Sequence, residues 1–176
     1  MPQSPWEDAV VRAAAEASRL QPLAWFLALA AALSIVGEYF AAPAADAIMS
    51  GGDWAIVAEQ AARGLIEAGP AVALVWGLFE TAHYLGRLAR GEVWGPATMA
   101  LLGKVGEAIV AAAVLAMFIG PTVEAWITSS GAFQAHFEPL WIALAGLGLV
   151  LALISRVVRN VVAVAAALKA ENEQIV

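Results

Sequence analysis

The sequence predicts an all-α integral membrane protein, a four-helix bundle with both termini in the cytoplasm. Three observations support this prediction. The chain of 176 residues is 62% hydrophobic and 14% charged, with a mean hydropathy of +0.78, which is far more apolar than an average soluble domain. Four segments reach the length of about 20 apolar residues that a bilayer requires, and basic residues gather at one end of these segments. The predicted spans are residues 22–42, 69–86, 98–120 and 139–155.

The distribution of basic residues predicts the orientation. Of the nine Lys and Arg residues, only Arg63 lies in a segment that would face the outer side. The positive-inside rule therefore places both termini in the cytoplasm and predicts a multi-pass protein of the bacterial inner (plasma) membrane. The net charge of -6 reflects acidic outer segments and gives no indication of nucleic acid as a partner. The predicted cytoplasmic anchors are Arg87, Arg90, Arg156 and Arg159.

Residues 1–21 have the pattern of an amphipathic helix on the inner leaflet, and a helix that docks a partner is the alternative. Ser4 and Glu7 form a capping box around Pro5. The four-span domain covers residues 22–155, and its first span is expected to end at Pro43, because the residue before a proline disfavours the helical conformation. Residues 156–176 continue the fourth span as a cytoplasmic helical tail.

Two outer segments connect the spans. The first contains the turn SGGD, in which Asp53 is a candidate helix cap. Apolar residues at helical spacing follow it and predict either a helix lying on the outer surface or an extension of the second span. The second segment, residues 121–138, has no Lys or Arg and carries Trp126, Phe133 and Phe137, which favours an aromatic loop at the interface.

The third span contains a stripe of small residues at intervals of four. Stripes of this kind let transmembrane helices approach closely, so the stripe predicts helix packing. Its members include Ala108, Ala112, Ala116 and Gly120.

A polar cluster inside the second and third spans is the candidate site. Glu80, His83 and Tyr84 share one helical face. Lys104 and Glu80 both lie roughly 10 Å from the inner interface at 1.5 Å per residue, so they can pair. Glu107 lies one turn deeper and is expected to be neutral, because burial disfavours a carboxylate. A buried network that fixes helix packing is favoured over a functional site.

The sequence gives no indication of an enzyme, a metal or a cofactor. There is no cysteine, and a di-iron site would need a second Glu-x-x-His, whereas Phe133 precedes His136 at that spacing. His83 and His136 belong to opposite ends of the spans, so they cannot share one haem. Nucleotide-binding and hydrolase motifs are absent from the sequence.

An internal repeat is also visible. Pro70, Arg87 and Arg90 recur as Pro139, Arg156 and Arg159 with a constant offset of 69 residues. A repeat of this form predicts two helical hairpins related in parallel.

Two stretches carry a resemblance to a family. The run HYLGRLARGEVWGPATMALLGKVGEAI at residues 83–109 and the C-terminal run LISRVVRNVVAVAAALKAENEQIV resemble the YoaS-like small bacterial membrane proteins of unknown function. In the C-terminal run the tail pattern is formed by Leu168, Glu171, Asn172 and Val176. The resemblance implies four spans with both termini inside and a cytoplasmic regulator as a partner, and it supplies no catalytic residues.

The sequence therefore favours a small inner-membrane protein that acts as an accessory or regulatory subunit. Its expected partners are the lipid bilayer and another membrane protein or further copies of the chain, bound through the small-residue stripes or the C-terminal helix. The alternative is a small oligomeric transporter or proton-coupled channel subunit, in which Glu80, Lys104 and Glu107 relay protons.

Overall fold

The computed structural model describes residues 5–51, 53–92, 96–128 and 131–174, and all regular secondary structure in these ranges is helical. The first half contains α1 (Pro5–Val36), a π-helical segment (Gly37–Ala41), α2 (Ala42–Met49), α3 (Trp54–Glu67) and α4 (Gly69–Ala89). The second half contains α5 (Pro96–Val114), a second π-helical segment (Leu115–Ile119), α6 (Gly120–Ile127) and α7 (Pro139–Gln174). The all-α prediction is confirmed.

Three helical stretches are long and apolar enough to cross a membrane, namely Val10–Met49, Ala100–Ile127 and Pro139–Val161. A fourth results if α3 and α4, which meet at 54°, are counted as one bent span. The predicted second span lies within α4. Because α3 is bent away from α4, it forms a separate helix, and its N-terminus is capped by Asp53, whose carboxylate accepts a hydrogen bond from the Trp54 amide at 2.7 Å.

The long helices pack in the order α1, α4, α5, α7. α1 and α4 form a first hairpin, α5 and α7 form a second, and α4 against α5 joins the two. In the described part of the chain, α1 and α7 do not pack against each other along their length. The predicted four-helix bundle is therefore not confirmed, and the helices form an open row with α1 and α7 at its ends.

The N-terminal region differs from its prediction. α1 runs without a break from Pro5 to Val36 and contains Pro22 in its interior, so the amphipathic segment and the first span form one helix. The capping box depends on Ser4, which lies outside the described residues. α7, by contrast, is one helix to Gln174, as the sequence predicted for the helical continuation of the fourth span.

The predicted ends of the first and third spans at residues 42 and 120 are wrong, because the chain stays helical through Pro43 and Pro121. A proline in a helix lacks the N–H that would bond to the carbonyl four residues earlier, and its ring clashes with that carbonyl. Here a π-helical segment widens the turn before each proline. The Ala42 amide donates to Gly37, and the Gly120 amide donates to Leu115, five residues back in each case. The helices continue through these points instead of ending.

A proline has no N–H for the carbonyl four residues earlier, which is that of Tyr39 for Pro43 and that of Met117 for Pro121. The Met117 carbonyl accepts a hydrogen bond from the His136 amide at 2.8 Å. The Tyr39 carbonyl is contacted by the backbone of Gly64 in α3, an approach that suits a weak Cα–H···O interaction. The outer segments thus dock onto the two carbonyls that the prolines expose.

Replacing Gly64 by alanine is expected to detach α3. The added methyl group would clash with the Tyr39 carbonyl oxygen, and overpacking of this kind costs about 1–3 kcal/mol. Faster tryptic cleavage at Arg63 would report the detachment. Gly37→Ala is the matched control, because a Cβ at that position meets nothing within 4 Å. Equal cleavage rates in both variants would contradict the docking role of Gly64.

The aromatic outer loop is also anchored. Phe118 of the second π-helical segment stacks on Phe133 with ring centroids 6.4 Å apart and meets Phe137 edge-on at 5.5 Å. The Thr122 hydroxyl donates to the Gln134 carbonyl at 2.7 Å. These contacts hold residues 131–138 against the end of the second hairpin.

The two hairpins repeat the same architecture. At an offset of 78 residues, α1 corresponds to α5, the first π-helical segment to the second, and α2 to α6. This offset aligns Phe40 with Phe118, Pro43 with Pro121 and Ala47 with Ala125. Equivalent hydrogen bonds support the alignment. The Ser50 hydroxyl donates to the Ala47 carbonyl at 3.0 Å, and the equivalent hydroxyl of Thr128 reaches the Ala125 carbonyl at 3.4 Å. α4 and α7 correspond at the offset of 69 residues that the sequence indicated.

Candidate functional site

The polar cluster is built on an ion pair between α4 and α5. The Lys104 ammonium donates to the Glu80 carboxylate at 2.8 Å. The Glu80 side chain is about three-quarters buried, with 24% exposed, whereas that of Lys104 is 47% exposed. The pair joins the two hairpins, so it connects the halves of the molecule as well as neutralising two charges.

His83 lies beside this pair and is held by its own helix. Its Nδ1 bonds the Phe79 carbonyl at 2.9 Å, and because a carbonyl oxygen only accepts, Nδ1 carries the proton. The Trp25 ring of α1 contacts the imidazole edge-on, with centroids 5.0 Å apart, and Phe79 in the same manner at 5.6 Å. This packing fixes the ring and leaves Nε2 available.

A small cavity separates these side chains. Its volume is about 40 Å³, and it is lined by Glu80, His83, Tyr84, Arg87, Ala100, Leu101 and Lys104. A buried water needs about 10–15 Å³ by this measure, so the cavity has room for a few water molecules. Four of the five predicted cluster residues therefore surround one cavity.

Glu107 does not join the cluster in the way the sequence predicted. Its side chain is exposed, so it is not buried between the helices as the sequence predicted. Its neighbours in the chain explain this position. Gly106 packs against α7, and Ala108 packs against Gly77 of α4, so the residue between them points out of the row. Among the described residues Glu107 has no ion pair or hydrogen bond from its side chain.

Glu80, His83, Arg87, Lys104 and Glu107 together form what we call the polar face. The first four line the small cavity, and Glu107 follows Lys104 by three residues on the same side of α5.

The small-residue stripe is used inside the chain. Ala108 and Ala112 are buried, and a Cβ placed on Gly77 would lie 3.2 Å from that of Ala108. This half of the stripe is therefore used for packing inside the chain. It is not open to a partner, although the sequence had suggested that a partner could bind there. Ala116 and Gly120 line a second cavity instead.

That second cavity, of about 230 Å³, was not predicted from the sequence. It lies between the end of α3 and the segment around Pro121, and its lining combines a polar rim with apolar residues that include Ile66 and Leu115. Arg63 in the rim is paired with Glu59 at 2.8 Å. Pro121, which lines the cavity, was the signal available in the sequence. The polar rim consists of Arg63, Glu67, Glu124 and Thr128.

The predicted anchors Arg87, Arg90, Arg156 and Arg159 are all exposed. They stand at equivalent positions of the repeat, at the end of α4 and, within α7, near the end of its apolar stretch Pro139–Val161. Arg90 makes an ion pair with Glu92 at 3.4 Å. Exposed cations at the ends of two apolar helices suit contact with water or with anionic groups.

Within the described ranges, no three His, Asp or Glu side chains come together in a group that could hold a metal ion. No family model, curated protein or solved structure matches the chain. The resemblance to the YoaS-like proteins therefore stays a prediction.

Proposed function

We propose that this chain is a multi-pass protein of the bacterial inner membrane, with both termini in the cytoplasm, that works as an accessory or regulatory subunit by binding another membrane protein. The apolar stretches of spanning length, with arginines at the end of α4 and near the end of the apolar stretch of α7, support the location and the orientation. The polar face supports the binding role.

Glu107 is the observation that carries the proposal. It lies seven residues inside the apolar stretch Ala100–Ile127, roughly 10 Å from its end at 1.5 Å per residue. An ionisable side chain inside a bilayer costs about 2.5–3.5 kcal/mol when it faces lipid. Because Glu107 is exposed and has no partner among the described residues, a second protein that supplies a hydrogen-bond donor at this depth would remove that cost.

The chemistry of the face defines the partner. Glu80 and Lys104 neutralise each other, so the face presents the Glu107 carboxylate toward the outer side and the Arg87 guanidinium toward the cytoplasm. A helix with a basic or amide side chain opposite Glu107 and an acidic one near the cytoplasmic end complements it. The cytoplasmic regulator implied by the family resemblance would bind the extension of α7 beyond the apolar stretch.

Transport is the less favoured function. A relay through Glu80, Lys104 and Glu107 requires the three groups to share one path. Among the described residues Glu107 bonds neither of the other two and does not line the cavity beside the ion pair, which holds only a few waters. A solute larger than water does not fit there.

Glu107→Leu is expected to reduce recovery of the partner by about 10- to 100-fold, because a hydrogen bond to a charged group contributes about 1.5–3 kcal/mol. The measurement is co-purification of the tagged chain from native membranes in mild detergent, followed by mass spectrometry of the intact complex. Glu107→Gln, which keeps a hydrogen-bonding side chain, should retain part of the partner.

Glu59→Gln is the matched control, since Glu59 is an exposed acid on α3 away from the polar face. The extracted yield and the thermal midpoint of every variant show whether the fold is intact. A folded Glu107→Leu chain that retains the same foreign subunit would rule out this face as the binding site. A wild-type chain that recovers no foreign subunit would overturn the accessory role.

A further inference from the structure

The contact between α4 and α5 is the most extensive junction between the two hairpins in the described structure. Gly77 lets the helices approach, so that a Cβ there would lie 3.2 Å from that of Ala108. Glu80 and Lys104 pair beside this point at 2.8 Å, and Tyr84 and Leu101 line the cavity toward the cytoplasmic end.

The face of α4 around Gly77 has its equivalent on α7, and the face of α5 around Ala108 has its equivalent on α1. Both equivalent faces lie at the ends of the row, where nothing in the described chain covers them. On α7, the offset of 69 residues makes Gly146 the equivalent of Gly77. A Cβ on Gly146 would meet nothing within 4 Å, and the positions equivalent to Glu80 and Tyr84 are Leu149 and Leu153, which are 56% and 49% exposed.

On α1, the offset of 78 residues makes Ala30 the equivalent of Ala108, and Ala30 is exposed. The positions equivalent to Lys104 and Leu101 are Phe26 and Leu23, which are 67% and 53% exposed. The other sides of α1 and α7 behave as the repeat requires, because Ala28 and Ser155 are buried inside their hairpins.

We infer that a second copy of this chain docks at each end of the row, with α7 of one copy against α1 of the next. Gly146 would take the place of Gly77, and Ala30 the place of Ala108, so the contact continues the one that already joins α4 to α5. The inference concerns a different surface from the polar face and goes beyond the proposed function, so either can fail without the other.

The surfaces also match in shape and chemistry. α7 carries an apolar groove of about 260 Å³ at the register where the repeat places Phe26 and Leu23 of the neighbouring copy. The positions equivalent to the ion pair between Glu80 and Lys104 are Leu149 and Phe26. The contact between copies therefore has no unpaired charge at these positions. The residues that line the groove are Val150, Leu153, Ile154, Val157 and Val158.

A contact between two different faces is heterologous and adds copies head to tail, closing into a ring when the rotation allows. Close approach at Gly146 and Ala30 supplies the dispersion contacts that drive helix association in lipid. This geometry predicts which residues meet between copies and which do not.

Directed cross-linking tests the inference, and the absence of cysteine from the sequence makes it unambiguous. Chains carrying Ala30→Cys and chains carrying Gly146→Cys, with different tags, are co-expressed and oxidised in the membrane with copper phenanthroline. A mixed dimer containing both tags is expected as the main product. Each single variant expressed alone should stay monomeric on a denaturing gel, because a head-to-tail contact does not bring two identical positions together.

Gly77→Cys combined with Ala108→Cys in one chain is the positive control, since the distance there is close to the 3.5–4.5 Å between Cβ atoms in disulfides. Leu78→Cys replaces Ala30→Cys as the control for random collision, because it is exposed beside Gly77 but is not at an end of the row. Cross-links of Ala30→Cys to itself, or a mixed product no stronger than with Leu78→Cys, would overturn the inference and leave lipid as the cover of these faces.

Discussion

Replacing Gly106 by leucine is expected to abolish the folded chain, because the second hairpin crosses at this residue through its backbone. A Cβ on Gly106 would lie 2.5 Å from the Gly148 carbonyl oxygen and 2.8 Å from the Ala152 amide nitrogen. Both are main-chain atoms, so neither can move aside as a flexible side chain would. Only a separation of α5 from α7 accommodates the larger residue, and that separation removes the packing of the whole hairpin.

Gly106→Ala gives a graded version of this test. Overpacking by one methyl group costs about 1–3 kcal/mol, which lowers the thermal midpoint by about 2–4 °C per kcal/mol for a chain of this size. Tryptophan fluorescence of the detergent-purified protein measures it. Gly37→Ala is the control, because a Cβ on Gly37 meets nothing within 4 Å and Gly37 is not among the residues proposed to join copies. Equal midpoints for the two alanine variants would show that the crossing is looser than described.

The crossing of α1 and α4 in the first hairpin has different residues at the positions where glycines lie between α5 and α7. The positions equivalent to Gly106 and Gly148 are Ala28 and Phe79, and Phe79 packs on Trp25. Aromatic side chains therefore take part in the crossing of α1 and α4, whereas at the equivalent point glycines let the backbones of α5 and α7 meet.

Apolar length and proline position predicted most of the helical segments but misplaced their ends. The rule that a helix ends before proline failed at Pro43 and Pro121, because a π-helical turn gives each ring the space it needs. Nothing in the local sequence marks that turn. The compensating donors come from distant residues, Gly64 and His136, so the outcome depends on tertiary contacts.

At the candidate site, the sequence predicted how deep each residue lies in its span but not the direction in which its side chain points. Counting residues from the ends of the spans placed Glu80 and Lys104 at one level, and the structure brings them together at 2.8 Å. Counting cannot give the rotation of a helix about its axis. That rotation is set by Gly106 and Ala108, which face α7 and α4, and it turns Glu107 outward. The open row likewise depends on which faces of the four long helices pack together, and the predicted positions of the spans do not give those faces.

Reversing one charge of the ion pair is expected to separate the two hairpins. Lys104→Glu places a second carboxylate within reach of Glu80, whose side chain is only 24% exposed. Leaving a buried charged group without its partner costs about 1–3 kcal/mol or more, and like charges add repulsion. We expect the free energy of unfolding to fall by at least about 2 kcal/mol and the thermal midpoint to fall by roughly 4–8 °C.

The double variant Glu80→Lys with Lys104→Glu separates a structural role from a chemical one. It restores opposite charges across the same junction, so most of the lost stability should return if the pair holds α4 against α5. A proton relay depends on which helix carries the acid, so it would stay impaired even when the midpoint recovers. If the double variant is no more stable than either single one, the two charges are not coupled, and the junction is held by Gly77 and Ala108 alone. Recovery of the midpoint together with unchanged binding of the partner would confine the function of the face to Glu107.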